Sequence, residues 1–184
     1  MFRRRSHPHS WRTRSSAIAY NRQIQVIEDL ISTPDDGEFV YVYVRNPHDI
    51  VAILAITDNR QVVLMREYCH PMRKMIYNLP SGSIQEGEVP SQAARRQLAE
   101  QGGYCAHQLT PLGRMVPFPG AVVGTIHLFL AGGLHPAPQP RDAHTEPEIV
   151  LVNVDEALKR TLRGEFEDGA LQLALLFVAQ QRLF

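Results

Sequence analysis

The segment from Gly82 to Tyr104 contains residue types at a spacing that could bind a divalent metal ion. A glycine-containing loop leads into residues that form helices well, and Pro90 suits the first turn of that helix. Positions 97, 100 and 101 are then spaced i, i+3 and i+4, so their side chains share one helix face. Carboxylates on such a face are the oxygen ligands that Mg²⁺ prefers in proteins.

Only one of these three positions carries a carboxylate, because Gln97 and Gln101 accompany Glu100 on the same face. A glutamine keeps one carbonyl oxygen but has no negative charge, and its amide nitrogen cannot bind a cation. Glu100 could still hold one ion if a bound ligand supplies further oxygens, with help from Glu88 or Glu86. A second or third ion is not supported by these residues. Alternatively, the two glutamines are exposed helix positions without a role in metal binding.

The whole segment resembles the Nudix box, whose pattern is G-x5-E-x7-R-E-U-x-E-E-x-G-U with U an apolar residue. The spacing matches without a gap, and the residue identities agree at Gly82, Glu88, Arg96, Leu98, Glu100 and Gly103. The resemblance implies an α/β fold, the Nudix α/β/α sandwich with a mixed β-sheet and an N-terminal β-extension. It also implies Mg²⁺ or Mn²⁺ as cofactor, bound weakly without substrate, and water attacking a diphosphate.

The same resemblance implies roles for individual residues of the box. Arg96 would orient a carboxylate by hydrogen bonding and is expected, with Glu100, to belong to the catalytic machinery. The expected metal contacts are Glu88, Gln97, Glu100, Gln101 and the backbone carbonyl of Ser81.

Segments outside the box resemble the ADP-ribose pyrophosphatase branch of that family: Val62–Tyr68, Pro117–Gly120 and Ile126–Ala131. The branch implies ADP-ribose or a related nucleoside diphosphate sugar as substrate, and a homodimer whose N-terminal strands help to form the pocket. It also implies a catalytic glutamate in the loop of Glu146 and Glu148, either of which could activate water. The expected substrate contacts are Arg66, Arg73, Ser81, Gly82 and Gly120, with the arginines binding phosphate.

Several positions depart from the pattern of the branch. A substrate-binding arginine is replaced by Cys69, an acidic residue by Asn78, and an acidic stretch by Ala121–Thr125. Together with the two helix glutamines, these losses favour a second hypothesis, in which an impaired domain binds a nucleotide or a protein partner without hydrolysis. A third hypothesis, a nucleic-acid-binding regulator, is supported only by the arginine-rich beginning of the chain.

The elements that must position these residues are predicted from apolar patterns and turn signals. A hairpin is predicted from residues 22–31 and 38–45, which flank the turn residues Pro34–Gly37. The run Val51–Ile56 does not alternate, so this strand is expected to be buried on both faces. Further predicted elements are strands at Val62–Tyr68, near 108–117, at 125–131 and at Ile149–Val154, and helices at 91–101, Asp155–Arg163 and roughly 168–183.

The 184 residues suit one domain with an extension. Residues 1–16 carry five arginines and no acidic residue, and we predict a basic, flexible tail there. We predict a β-extension that mediates dimerisation at 17–46 and a Nudix domain at 47–184.

Composition excludes some classes of partner. With 44% hydrophobic residues the chain can bury a sizeable core, and its formal net charge of zero argues against nucleic-acid or membrane-surface partners. No apolar run approaches the roughly 20 residues needed to span a bilayer. The two cysteines form no disulfide framework, so we expect a cytoplasmic protein.

Overall fold

The computed structural model describes residues 11–33, 37–137 and 147–181. These residues divide into two compact units. One contains the described residues up to Pro47 together with Phe118–Gly124, and the other contains His48–Pro117 and the described residues from Thr125 onward.

The first unit is a four-stranded sheet. Its strands are β1 (Arg12–Asn21), β2 (Gln25–Ser32), β3 (Glu38–Arg45) and β9 (Val122–Val123), in the order β1-β2-β3-β9. The first three strands are antiparallel, as the predicted hairpin requires, and β9 runs parallel to β3. Residues 34–36 of the predicted turn lie outside the described residues.

β1 corrects the predicted boundary of the basic tail. Residues 12–16 belong to this strand, and Arg12 is paired with Ser32 of β2. The physical reason is that the backbone of these residues completes a ladder with β2, which satisfies its hydrogen-bonding groups regardless of the charged side chains. Residues 1–10 of the predicted tail lie outside the described residues.

The second unit contains two sheets and three helices. One sheet is mixed, in the order β7 (Ser81–Ser83), β4 (Ile50–Ala55), β10 (Ile126–Pro136) and β8 (Tyr104–Met115). In it β4 and β10 are parallel and the other pairs antiparallel. The other sheet is antiparallel, in the order β11 (Glu148–Asn153), β5 (Gln61–Cys69) and β6 (Lys74–Asn78). The helices are α1 (Pro90–Gln97), α2 (Val154–Leu162) and α3 (Gly169–Gln181).

α1 does not continue regularly to residue 101 as predicted. Pro90 occupies its first turn, and the Gln92 side chain accepts a hydrogen bond from the N–H of Val89. Leu98–Gly102 then forms a π-helical turn, which Gly103 ends with a left-handed φ of 74°. The wider turn alters the side-chain spacing just where the metal face was expected.

The central strand β4 is buried on both faces, which confirms its predicted character. Val51 and Ile53 face a core cluster that includes Ala93 of α1. Ala52 and Leu54 face a second cluster with α2 and α3, whose buried members include Ala157, Leu171 and Leu175. Helices therefore cover both sides of the strand layer, as an α/β/α sandwich requires.

Within the described ranges, no helix combines the length and apolar character needed to cross a membrane.

Candidate functional site

Arg96 holds together the loop and the helix of the candidate site. Its Nε and Nη2 donate to the two carboxylate oxygens of Glu88 at 2.9 and 2.7 Å. Nη2 also donates to the backbone carbonyl of Ser83 at 3.0 Å, and Nη1 donates to Glu100 Oε2 at 3.1 Å. One guanidinium thus ties the strand β7, the loop carboxylate and the helix carboxylate into one arrangement.

Electrostatics favour the charged forms of this central pair. Hydrogen bonding from Arg96 holds the pKa of Glu88 below its usual value, assisted by the backbone N–H of Gln85. The hydrogen bond to Glu88 in turn raises the pKa of Arg96. Both side chains are largely enclosed, with 22% of Arg96 and 15% of Glu88 exposed, so the pair is better shielded from water than a surface ion pair.

Gln97 turns into the protein instead of toward solvent. Only 7% of the residue is exposed, and its amide lies directly above Gly82. In the amide orientation that satisfies its neighbours, Nε2 donates to the Ser81 carbonyl at 3.2 Å, and Oε1 accepts from Arg96 Nη1 at 2.6 Å. A side chain at position 82 would place Cβ only 2.3 Å from Gln97 Cδ, so glycine is required for this contact.

The three expected metal positions on the helix therefore do not act as one face. Gln97 is buried against the loop, Gln101 is half-buried, and the Glu100 side chain is 48% exposed. The prediction assumed a regular helix, but the π-helical turn begins at Leu98, immediately after the first of these positions.

The residues present do not fit a centre with several metal ions. In the described part of the chain, no three side chains of His, Cys, Asp or Glu are grouped so that they could hold a metal ion. The Ser81 carbonyl, expected as a metal contact, accepts a hydrogen bond from Gln97. Glu88 is fully engaged with Arg96 and Gln85. Glu100 is the carboxylate whose exposure still fits one cation shared with substrate phosphates.

Two other predicted site residues lie opposite each other on neighbouring strands. Arg66 of β5 is the register partner of Glu148 on β11, and its Nη1 donates to Glu148 Oε2 at 3.1 Å. The candidate phosphate ligand and the candidate base therefore neutralise each other. Glu146, the alternative base, lies outside the described residues.

The remaining predicted substrate contacts are dispersed. Arg73 lies in the turn between β5 and β6, where its N–H donates to the His70 carbonyl and its φ is +58°. Gly120 belongs to the first unit, and its carbonyl accepts a hydrogen bond from the Tyr41 hydroxyl at 2.6 Å. These contacts assign neither Arg73 nor Gly120 a role in ligand binding.

A cavity of about 210 Å³ borders Ser81, and its lining includes Asn78 and a carboxylate that the sequence did not single out, Asp168. Asn78 lines it and donates to Glu67, so the amide that replaces an acid has a carboxylate partner. The Oδ1 atom of Asn78 is buried without a hydrogen-bond partner. Asp168 also lines the cavity, where burial raises the pKa of its carboxyl. The N-cap pattern before α3 was the available signal for Asp168, which accepts from Leu171 N–H.

His127 is paired with Asp49, a residue that the sequence did not single out. Its Nε2 lies 3.3 Å from Asp49 Oδ2, and the other oxygen of Asp49 accepts from the N–H of Thr125 at 2.9 Å. This contact joins the start of β10 to the loop before β4.

Comparisons with known proteins identify relatives of this chain. The model of the NUDIX domain family matches residues 46–173. An ADP-ribose pyrophosphatase of Bacillus subtilis (strain 168) is 29% identical over 130 residues, covering 70% of each chain. A methanol dehydrogenase activator of Bacillus methanolicus is 27% identical over 170 residues, covering 91% of each.

The fold also matches a known structure. A crystal structure of an ADP compounds hydrolase superposes with a TM-score of 0.83 at 21% sequence identity, covering 93% of each chain. This likeness confirms the predicted fold class.

Proposed function

This chain belongs to the NUDIX domain family, and from that premise we propose that it hydrolyses a nucleoside diphosphate derivative of the ADP-ribose type. The observation that carries the proposal is the arrangement in which Arg96 holds the carboxylates of Glu88 and Glu100 together at the end of α1. The Bacillus subtilis relative, an ADP-ribose pyrophosphatase, supports the choice of substrate class.

In the proposed reaction, the oxygen of water forms a bond to one phosphorus, and the bond from that phosphorus to the bridging oxygen breaks. The leaving phosphate keeps the bridging electron pair, so ADP-ribose yields AMP and ribose phosphate. Glu100 would hold one Mg²⁺ or Mn²⁺ together with the substrate phosphates, and such an ion neutralises phosphate charge.

The pair of Arg66 and Glu148 provides the other groups that the reaction needs. A phosphate that binds the Arg66 guanidinium competes with the Glu148 carboxylate. Glu148 is then released to accept the proton of the attacking water. Glu146 remains the alternative base.

A hydrolysis screen tests this proposal. The purified chain is incubated with ADP-ribose, nucleotide sugars and dinucleotides at millimolar Mg²⁺ or Mn²⁺, and products are separated by chromatography. We expect AMP release from ADP-ribose at a rate below about 1 per second, under the typical enzyme median, because the helix lacks two carboxylates. Absence of turnover with every compound and both cations would contradict the proposal.

Binding without hydrolysis is the second candidate function, and the Gln97 contact favours it. An amide that occupies the Ser81 carbonyl removes a metal contact expected of the family. This candidate predicts that ADP-ribose raises the midpoint of thermal unfolding of the protein, while no product forms in the hydrolysis screen. Turnover near 1 per second would exclude it.

We also propose a homodimer in the cytoplasm. The first unit exposes large apolar side chains, including Trp11, Ile18, Phe39, Val40 and Val42, which supports a protein partner for this sheet. Both cysteines are free, as in a reducing compartment. A monomer mass by light scattering at micromolar concentration would contradict the dimer.

A further inference from the structure

The backbone carbonyl of Ser81 is engaged by a side chain of the protein itself, Gln97. Gln97 is the last residue of α1, and its side chain reaches the strand β7. There its amide lies above the backbone of Gly82. The Gln97 Nε2 donates to the Ser81 carbonyl, and the Gln97 Oε1 accepts from Arg96. Both ends of a buried amide are thus satisfied by groups of the chain itself.

This amide closes the carbonyl to a cation for two reasons. The lone pair of Ser81 that faces the helix is engaged by an N–H group, which presents partial positive charge. The only oxygen that Gln97 could offer to a metal ion already accepts from a guanidinium, which repels cations. Buried groups exchange such bonds only at a cost, because an unmade hydrogen bond leaves a desolvated polar atom.

The surrounding charges agree with this assignment. The Glu88 carboxylate is engaged at both oxygens by Arg96, and the Glu100 carboxylate shares the same guanidinium. Asn78, at the end of the strand before the loop, also replaces an expected acid with an amide, and it donates to Glu67. Two amides therefore supply hydrogen-bond donors at positions where the family resemblance implies acidic side chains.

We propose that Gln97 is a built-in substitute for a divalent cation at the Ser81 carbonyl, which holds the loop and helix in place without metal. A chain that uses this device has no requirement for Mg²⁺ to maintain the site before a nucleotide binds. The inference deepens the proposed function, since it concerns the same loop and helix. It does not exclude one cation at Glu100 that arrives with a diphosphate.

Thermal unfolding of the full chain without nucleotide tests the proposal. The wild-type midpoint is expected to differ by less than about 1 °C between EDTA and millimolar MnCl₂. In Gln97→Glu, a carboxylate replaces the amide donor and faces the Ser81 carbonyl, so the midpoint in EDTA should fall by about 4–8 °C. Millimolar Mn²⁺ should restore most of that loss, because the new carboxylate and the carbonyl together form a cation site.

Gln92→Glu is the matched control on the same helix. Gln92 is exposed, and its side-chain oxygen accepts from the N–H of Val89, which a carboxylate does equally well. This variant adds the same charge without placing it at the Ser81 carbonyl. Its midpoint should therefore be as insensitive to Mn²⁺ as that of the wild type.

Direct binding of Mn²⁺ to the wild type tests the proposal even if Gln97→Glu fails to fold in EDTA. It is measured by the loss of the paramagnetic resonance signal of the free ion. The wild type should bind no Mn²⁺ below millimolar concentration in the absence of nucleotide. The proposal would be overturned if the wild type bound Mn²⁺ at submillimolar concentration. It would also be overturned if Mn²⁺ changed the thermal midpoint of Gln97→Glu no more than that of Gln92→Glu. Failure of the hydrolysis screen with an Mn²⁺-insensitive wild type would instead refute the proposed function alone.

Discussion

Replacing Arg96 with methionine is expected to lower the thermal midpoint by about 6–12 °C, the largest change in stability that we predict. Methionine keeps the packing of the side-chain stem but removes every hydrogen bond from the guanidinium. The variant leaves Glu88 enclosed without its charged partner and removes the hydrogen bond from Arg96 to the Ser83 carbonyl. Removing one member of a shielded charge pair costs more than the pair contributes, because the remaining charge has lost its compensation.

The matched control is Arg163→Met, and the measurement is circular dichroism during heating. Arg163 pairs with Glu156 and Glu165, but 53% of its side chain is exposed. Exposed pairs contribute little, so its midpoint should change by no more than about 2 °C. Equal shifts in the two variants would show that Arg96 has no special place in the site.

Lowering the pH should reduce the difference in thermal midpoint between the wild type and Arg96→Met. The pKa of Glu88 in the folded chain lies below the ordinary value of 4.5, so the bond to Arg96 stabilises the protein above that pH. Its contribution is lost as pH falls from 4.5 through the folded-state pKa, where Glu88 becomes protonated. A difference in thermal midpoint that stays constant between pH 7 and a pH below 4.5 would contradict this explanation.

Glu100→Gln is expected to reduce the hydrolysis of ADP-ribose by about 100-fold, the largest effect on activity. The glutamine retains the shape of Glu100 and can still accept from Arg96, but it loses the charge that we place beside the diphosphate. Because 48% of the side chain is exposed, the free energy of unfolding should change by less than about 0.5 kcal/mol.

The assay for this variant measures AMP release under the conditions of the substrate screen. Glu156→Gln is the control, since Glu156 is 49% exposed and also pairs with an arginine, but it lies on α2. Activity within twofold of the wild type in both variants would remove Glu100 from the proposed mechanism.

Local patterns were sufficient to predict the elements and the layers. The uninterrupted apolar run of β4 predicted burial on both faces, and the structure places Val51 against one helix layer and Ala52 against the other. Pro90 and Gly103 mark the two ends of the helical segment because proline fits a first turn and glycine adopts a left-handed φ.

The candidate site was only partly predictable, because its contacts depend on distant parts of the chain. The spacing of 97, 100 and 101 indicated one shared face, but a turn of π-helix and a hydrogen bond to Ser81 gave each residue a separate environment. Likewise, charge alone suggested a tail at residues 12–16, whereas pairing with β2 made them a strand. Neither a long-range hydrogen bond nor a strand partner leaves a local sequence signal.

The two-residue strand β9 has a consequence for dissecting this protein by truncation. Val122 and Val123 pair with the end of β3, although the segment Phe118–Gly124 is inserted between β8 and β10. No single cut of the polypeptide can therefore separate the two units. A fragment beginning at His48 would carry β9 without β3, and a fragment ending at Pro47 would lack β9. Studying the second unit alone would require excising residues 118–124 and rejoining Pro117 to Thr125 through a short linker, and studying the first would require linking residues 118–124 to Pro47.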